Sequence, residues 1–308
     1  PALVFSRSLS LFALLLALLL APWQALGVGL EVRGHAIIHD TFTVVALPGE
    51  SLRIGLPLSK AELRVSMDGQ LAGRVEHGNW LLDAPSNPGL YRLTVEGAPV
   101  GEVMLNLFVM VPAEQVSGGY LNGYRMGDAP PGHSKHPDLY RPPRGFIEVT
   151  AENVDTPLTP HFTLRQFLCK QDGDYPKYLA LQESLLVLLE GLLQAVVEAG
   201  YPAQTFGVIS GYRTPWYNKY IGNVPNSRHV YGDAMDLYLD LDGDGAMDDL
   251  DGDNSLDRDD VTLLAEIAEE FMNRPANAAL SGGIGRYGKT SRHGGFVHVD
   301  TRGYRARW

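Results

Sequence analysis

Alternating apolar and polar positions dominate residues 28–112 and predict short β-strands. The strand-like runs, separated by Pro, Gly and Asp, lie at 42–46, 51–56, 63–67, 90–95 and 103–111. Several short strands with turn residues between them are typical of a β-sandwich. We therefore expect a small immunoglobulin-like sandwich over 28–112. The next stretch, 113–144, is rich in Pro and Gly and predicts a linker or an extended strap.

A mixed pattern begins near Gly145. Apolar residues at three- and four-residue spacing predict a helix over 177–199 that ends at Gly200, and a second helix over 261–273. Further strands are predicted at 146–149, 206–210, 233–239 and 296–300. The predicted fold class is thus α+β, with the sandwich followed by an α+β domain over 145–308.

The first 27 residues have the pattern of a signal peptide. Arg7 precedes an apolar run from Leu11 to Leu20, and small residues at Ala25 and Gly27 suit a cleavage site. An uncleaved membrane anchor is the alternative, although the run is short for a span. We expect a periplasmic or secreted protein without a stable membrane span. The single cysteine, Cys169, excludes an internal disulfide framework.

Charge adds one local feature to this picture. The chain has 308 residues and a net charge of −11, of which −9 lies in 240–260, with ten aspartates and one arginine. The rest of the chain is therefore close to neutral. No broad basic surface indicates nucleic-acid binding, so no nucleic-acid partner is expected.

Two predicted strands carry residues that can bind a metal. Alternation places Asp236 on one face of its strand, and it places His298 and Asp300 together on one face of theirs. If these strands are neighbours, Asp236 and His298 converge, and His229 can join them from the preceding turn. Two imidazoles and a carboxylate suit Zn²⁺ and leave a fourth position for water. Histidines that serve only structure are the alternative.

Three motifs occur in order in this part of the chain. They are Ser210-Gly211-Tyr212-Arg213, Ser227-x-His229-x-x-Gly232-x-Ala234-x-Asp236 and Phe296-Val297-His298-Val299-Asp300. Together they resemble the M15 family of zinc peptidases, which includes D-alanyl-D-alanine carboxypeptidases and murein endopeptidases and shares the hedgehog-type fold. The final stretch with Arg305, Arg307 and Trp308 is similar to the YcbK-type branch. The resemblance covers about residues 145–308, and three ordered motifs make it specific.

The resemblance implies roles for individual residues. His229, Asp236 and His298 would be the zinc ligands. Arg213 and Tyr212 would bind substrate, with the Arg213 guanidinium holding a carboxylate or polarising the scissile carbonyl. Asp300 would orient a ligand histidine rather than bind the metal.

The chain departs from the family in its acid/base residue. Some members have a glutamate three residues before the last ligand, where this chain has Gly295. Others have a histidine two residues before it, where this chain has Phe296. Another branch has a histidine five residues before it, and His293 occupies that position. We predict His293 as the acid/base or oxyanion-stabilising residue. A histidine in a mobile loop is the alternative.

The acidic stretch contains two overlapping patterns of an EF-hand-type calcium loop. The first consists of Asp240, Asp242, Asp244, Ala246, Asp248 and Asp251, with Gly245 at the sharp turn. The second consists of Asp249, Asp251, Asp253, Ser255, Asp257 and Asp260, with Asn254 in place of glycine. So many carboxylates repel one another unless a cation holds them. A solvated acidic loop is the alternative.

The sequence thus predicts an exported zinc peptidase, with Ca²⁺ as a second metal. Its partners would be peptidoglycan peptides, cut at bonds that involve D-amino acids by a zinc-activated water, as the resemblance implies. The alternative is a non-catalytic cell-wall or calcium-dependent binding protein on the same fold. The glycine at 295 favours that alternative.

Overall fold

A computed structural model describes residues 29–55, 64–76, 79–97, 101–291 and 293–308. The predicted signal peptide, 1–27, lies outside the described residues. Within the described ranges, none of the helices combines the length and apolar character needed to cross a bilayer. The architecture is α+β, with mostly antiparallel sheets and few helices, which confirms the predicted class.

The N-terminal half consists of strands. They are β1 (Leu30–Val32), β2 (His35–Ile37), β3 (Thr41–Ala46), β4 (Ser51–Gly55), β5 (Arg64–Met67), β6 (Gln70–Leu71), β7 (Arg74–Glu76), β8 (Asn79–Asp83), β9 (Gly89–Gly97) and β10 (Gly101–Val109). They form two five-stranded sheets, in the orders β2-β1-β4-β8-β7 and β3-β10-β9-β5-β6. Every neighbouring pair is antiparallel except β3 and β10. Buried side chains alternate with exposed ones along β4 and β8, as two-sided strands require.

The remaining strands come after Met110. They are β11 (Val111–Pro112), β12 (Tyr120–Leu121), β13 (Tyr124–Arg125), β14 (Gly145–Val149), β15 (Pro157–Thr159), β16 (Phe162–Thr163), β17 (Lys177–Leu179), β18 (Gly207–Ser210), β19 (Ala234–Tyr238), β20 (Gly283–Tyr287), β21 (Phe296–Asp300) and β22 (Ala306–Arg307). The α-helices are α1 (Glu183–Glu198), α2 (Pro215–Tyr220) and α3 (Arg258–Asn273). Short 3₁₀ segments lie at Ala113–Gln115, Pro137–Tyr140, Leu164–Phe167, Arg228–Tyr231 and Pro275–Leu280.

The two halves of the chain share one apolar core. Buried residues of the N-terminal sheets and of the C-terminal half belong to the same contiguous cluster. Two polar contacts cross the boundary: the amide N of Val45 donates to Glu183 Oε1 at 3.1 Å, and Asn106 Nδ2 donates to the carbonyl of Pro157 at 2.7 Å. The N-terminal sheets are therefore packed against the C-terminal half rather than tethered to it.

A five-stranded sheet in the C-terminal half positions the candidate site. Its order is β18-β19-β21-β20-β22, with α3 packed against β20 and β21. Register places Ser210 opposite Asp236, Asp236 opposite His298, and His298 opposite Gly285. One row of residues therefore runs across four strands on a single face, and both predicted ligand strands are neighbours.

The helix predicted over 177–199 begins later than the periodicity indicates. Residues 177–179 form β17, which pairs with β14 through Tyr178 opposite Glu148, and α1 starts only at Glu183. The Tyr178 hydroxyl donates to the Glu148 carboxylate at 2.6 Å, so tertiary pairing overrides local helix propensity at this end. Similarly, α3 starts at Arg258 rather than at 261, with Asp257 as its N-cap.

Residues 113–144, which we call the strap, lie along the C-terminal half. The strap contains the β12–β13 hairpin and two 3₁₀ segments, Ala113–Gln115 and Pro137–Tyr140. Its carbonyls accept hydrogen bonds from that half: Met126 from the Trp216 amide at 3.0 Å, Pro131 from the Tyr231 hydroxyl at 2.6 Å, and Leu139 from Arg228 Nη1 at 2.7 Å. The strap therefore braces the turn that carries His229.

Candidate metal centre

The three predicted zinc ligands come together from two strands and a turn. Asp236 on β19 lies directly opposite His298 on β21, so both side chains leave the same face of the sheet. His229 comes from the 3₁₀ segment before β19, which ends at Gly232 with φ of +77°. A Cβ at Gly232 would lie 2.4 Å from the carbonyl oxygen of Ala180, so only glycine permits this turn.

The donor atoms of the three side chains are mutually close. His229 Nε2 lies 3.1 Å from Asp236 Oδ1 and 3.2 Å from His298 Nδ1, and His298 Nδ1 lies 2.8 Å from Asp236 Oδ1. Zinc bonds of ~2.0–2.2 Å in a tetrahedron place their donors about 3.3–3.6 Å apart. The three residues are 2–5% exposed. Their spacing and chemistry therefore fit a zinc ion after a small outward adjustment.

The opposite side of each imidazole is also held. His229 Nδ1 lies 2.6 Å from the carbonyl oxygen of Gly211, so Nδ1 carries the proton and Nε2 keeps its lone pair for a metal. His298 Nε2 lies 3.0 Å from Asp300 Oδ2, which leaves Nδ1 to face the centre. Asp300 is fully buried and accepts hydrogen bonds from the amide of Gly283 at 2.9 Å and from Arg302.

Burial and ion pairing shift the pKa values of these groups in different directions. Burial lowers the pKa of His229, which favours the neutral form that binds metals. Burial opposes protonation of His298 as well, but hydrogen bonds to Asp236 and Asp300 outweigh it and raise its pKa to about 9. Burial works against ionised Asp236, yet the charges and hydrogen bonds of the two histidines keep its pKa well below the usual range. The raised pKa of His298 favours its protonated form, so a metal ion at Nδ1 would compete with a proton there.

Arg213 lies beside the centre, whereas Tyr212 does not. Arg213 donates from Nη2 to Asp236 Oδ2 at 2.5 Å and from Nε to Ser210 Oγ at 2.8 Å. Among the described residues, Nη1 of Arg213 has no hydrogen-bond partner. Tyr212 points the other way, is 2% exposed and packs near Phe146 in the core. Of the two predicted substrate-binding residues, Arg213 therefore lies at the centre and Tyr212 lies in the core, because neighbouring residues of an extended segment face opposite sides.

His293 contacts Phe296, and among the described residues no contact joins it to His229, Asp236 or His298. Its ring lies 5.0 Å from that of Phe296, and Nδ1 lies 2.8 Å from the carbonyl oxygen of Gly294. Its acid/base role stays a prediction. Gly295 is explained by packing: a Cβ there would lie 2.7 Å from Val261 Cγ2 on α3. A glutamate side chain at this position would run into the core rather than toward the centre.

Sequence reasoning missed two supports of the centre. Arg228 forms a buried two-point ion pair with Asp233, which closes the turn that carries His229. Burial raises the pKa of Asp233 to about 6 despite this partner. The second is Trp308, whose ring lies 5.2 Å from that of His298. The flanking positions of Arg228 and Asp233 around the turn were the available signal for the first.

The acidic stretch folds into two loops of the same shape, nine residues apart. Asp240 accepts from the amides of Gly243 and Gly245, and Asp249 accepts from those of Gly252 and Asn254. Asn254 has φ of +66°, matching the left-handed Gly245. Each loop gathers three carboxylates: Asp240, Asp242 and Asp248 in the first, and Asp249, Asp251 and Asp260 in the second.

These groups differ from the predicted ligand sets. Asp251 was predicted in both loops, but its carboxylate lies with the second loop, so it does not close the first. Asp244 and Asp253 accept backbone amides two residues ahead, those of Ala246 and Ser255. Asp257 caps α3 and lies outside the three-carboxylate group. The nine-residue repeat makes the two predicted twelve-residue loops overlap at 249–251, and both calcium-ligand sets stay predictions.

The chain matches no known family model and no curated protein.

Proposed function

We propose that this protein is an exported zinc-dependent peptidase that hydrolyses peptide bonds of peptidoglycan involving D-amino acids. One observation carries the proposal. His229 Nε2, Asp236 Oδ1 and His298 Nδ1 lie within 3.2 Å of one another, while the outer nitrogen of each imidazole is held by Gly211 or Asp300. Three preoriented protein donors suit a catalytic zinc, which keeps a position open. The three ordered motifs supply the substrate class.

The residues around the centre have separable roles in this reaction. Zinc bound there would supply an activated water and polarise the amide carbonyl. Asp236 is held from its second oxygen by Arg213 Nη2, so it presents only Oδ1 to the centre. Nη1 of Arg213, which has no hydrogen-bond partner among the described residues, would bind a substrate carboxylate or the oxygen of the scissile carbonyl. His293 is the proposed proton carrier, at the Phe296 end of the same face.

Calcium at the acidic loops would brace the same sheet. Leu239 directly follows β19, and its carbonyl accepts the amide of Asp248, which lies in the first carboxylate group. In the second group, Asp260 Oδ1 accepts the amide of Leu250 at 2.7 Å and Asp260 is also the third residue of α3. Cations on these groups would tie β19 to α3 by satisfying carboxylates that otherwise repel.

A second candidate function is favoured by position 295. Since Gly295 leaves no room for the glutamate that serves as base in part of the family, the chain could bind cell-wall peptides without cutting them. Such a protein would retain the metal centre as a recognition site.

Digestion of purified peptidoglycan separates the two candidates. Wild-type protein with zinc should release new peptide fragments, measured by mass spectrometry, and a chelator should abolish them. Asp236→Asn should be inactive, because the amide cannot replace a metal-binding carboxylate. Asp128→Asn, on the exposed strap, is the matched control and should be active. Zinc binding and peptidoglycan binding without any new fragments would contradict the enzyme and support the binding protein.

A further inference from the structure

The face that carries the metal centre has two chemically different flanks. On the β18 side lie Arg213 and Ser210, joined to Asp236. On the β20 and β22 side lies the indole of Trp308, with its ring 5.2 Å from that of His298. The metal ligands separate a cationic, hydrogen-bonding flank from an aromatic one.

The sheet is built to hold the indole flat. The amide of Trp308 donates to the carbonyl of Ile284 at 3.2 Å, and its carbonyl accepts from the amide of Arg286 at 3.0 Å, so its backbone straddles Gly285. A Cβ at Gly285 would lie 2.5 Å from the indole Nε1, and one at Gly283 would lie 2.9 Å from Cη2. Both glycines lie in rows with metal-centre residues. Any side chain at either position would lift the indole off the face.

Tyr287 extends the aromatic surface. Trp308 Nε1 donates to the Tyr287 hydroxyl at 2.6 Å, and the Tyr287 ring stacks on that of Phe296 at 4.6 Å with 9° between the planes. Trp308 is 46% exposed and Tyr287 is 37% exposed, so both rings present an apolar surface to solvent beside the centre. Arg302 lies 5.0 Å from the indole centroid, but its charge is balanced by the bidentate pair with Asp300.

We propose that Trp308 and Tyr287 form the specificity-determining subsite for the acyl side of the scissile bond. The inference rests on the peptidase function proposed above. Arg213 would bind the carboxylate-bearing side, so the opposite flank receives the residues that precede the cut. The aliphatic stem of a lysine-like residue on that side would pack on the indole and phenol rings.

The span of the face agrees with this orientation. Three interstrand spacings of about 4.8 Å separate β18 from β20, a distance of about 14 Å. An extended peptide covers this with about four residues at ~3.4 Å each. The centre lies near the middle, so about two residues lie on each side of the cut. A stem two residues before the bond therefore reaches the aromatic flank.

Two peptides test the subsite: N-acetyl-L-Lys-D-Ala-D-Ala and N-acetyl-D-Ala-D-Ala. For the wild type we expect KM to be about tenfold lower for the longer peptide, the order expected from burying part of an aliphatic stem on aromatic rings. In Trp308→Ala this ratio should fall to within about twofold. Tyr287→Ala should lower the ratio in the same direction. Tyr220→Ala, an exposed aromatic on α2, should leave it unchanged.

A readout independent of turnover uses the indole itself. In chelator-treated protein the longer peptide should change the tryptophan emission, and Trp308→Phe should remove that change. An equal rise in KM for both peptides in Trp308→Ala, or loss of bound zinc, would mean that Trp308 only supports the centre. Either result would overturn the proposed subsite. If wild type neither binds nor cuts these peptides, the subsite is also overturned. Peptidoglycan digestion then decides the peptidase function separately.

Discussion

Two candidate metal sites lie within five residues of each other, and they are built on opposite principles. Asp236 is almost fully buried, and both carboxylate oxygens have fixed partners in His229, His298 and Arg213. From Asp240 onward the carboxylates lie mainly at the surface and accept hydrogen bonds from backbone amides of their own loop. The first site is organised by the sheet; the second is organised by local turns.

This difference predicts different dependence on metal. A buried, preoriented donor set costs little to complete, so it should bind one ion tightly and keep its shape without it. Exposed carboxylates in a loop gain most of their order from the cation itself, so that removal should loosen the loop. The two sites should therefore respond separately to selective chelation.

The largest expected effect comes from removing a buried donor. His298→Ala should weaken zinc binding by more than about 100-fold, because loss of a direct ligand exceeds the 10–100-fold cost typical of removing an outer partner. Hydrolysis should be lost with it. Isothermal titration with zinc measures the affinity. His133→Ala, on the strap, is the control histidine and should bind zinc as wild type does. Unchanged zinc affinity in His298→Ala would show that the buried centre does not bind zinc through His298.

Calcium removal should have the next largest effect, on stability rather than on zinc. Calcium at 100 times its dissociation constant should stabilise the fold by about 2.7 kcal/mol, or about 5 °C in melting temperature. Asp249→Asn should abolish most of this gain, because Asp249 supplies one of the three carboxylates grouped in the second loop. Differential scanning calorimetry with calcium, and with magnesium as the control ion, measures it. A melting temperature that does not change with calcium would indicate that 240–260 is a solvated acidic loop that binds no calcium.

Asp300→Asn should have an intermediate effect. Asp300 does not join the three converging donors but fixes the His298 ring through Nε2. Loss of its charge should reduce zinc affinity about 10–100-fold. Zinc competition with a chromophoric chelator measures the change, and Asp138→Asn, an exposed carboxylate, is the control. A wild-type affinity in Asp300→Asn would show that the outer contact does not orient the ligand.

The smallest expected effect concerns a carboxylate of intermediate burial, Glu269 on α3. Partial burial favours its neutral form, but hydrogen bonds from Arg307, Asn273 and Arg305 lower its pKa to about 2. The folded state therefore favours the ionised form. Its contribution is present above the unfolded value of 4.5 and is lost as the pH falls toward 2.

We expect Glu269→Gln to lower the free energy of unfolding by about 1–2 kcal/mol at pH 7, discounted for partial exposure. The difference from wild type should shrink below pH 4. Urea unfolding at pH 3 and pH 7 measures it, and Glu266→Gln is the control. A difference that grows at low pH would contradict the assignment. Since Arg305 directly precedes β22 and Arg307 belongs to it, Glu269 also helps to place Trp308.

The convergence of Asp236 on β19 and His298 on β21 was predictable, because alternation alone determines which side chains of a strand share a face. Residues 296–300 form a strand with the predicted bounds, and Asp236 and His298 lie on neighbouring strands of one sheet. The start of α1 was not predictable, since pairing of Tyr178 with β14 depends on a distant strand. The same holds for Tyr212, whose burial depends on neighbours that are remote in sequence, such as Phe146. Local turns in 240–260 were readable from the sequence, but the grouping of Asp251 with the second loop alone required the folded structure.

The aromatic flank shows a further limit of sequence reasoning. Gly283 and Gly285 give no chemical signal in the sequence, yet their missing side chains make room for the Trp308 indole. The space beside these glycines can be recognised only when the position of the Trp308 indole is known. Two residues without side chains therefore shape the aromatic flank of the candidate centre.

Zinc titration of the chelator-treated protein, with bound metal quantified by mass spectrometry, tests the central claim most directly. Wild type and Asp242→Asn should each bind one zinc ion with the same affinity, because Asp242 belongs to the exposed loop. Asp236→Asn should bind none at the same free zinc concentration. Retention of one tightly bound zinc in Asp236→Asn, together with its loss in Asp242→Asn, would place the zinc site in the acidic loops and contradict the account.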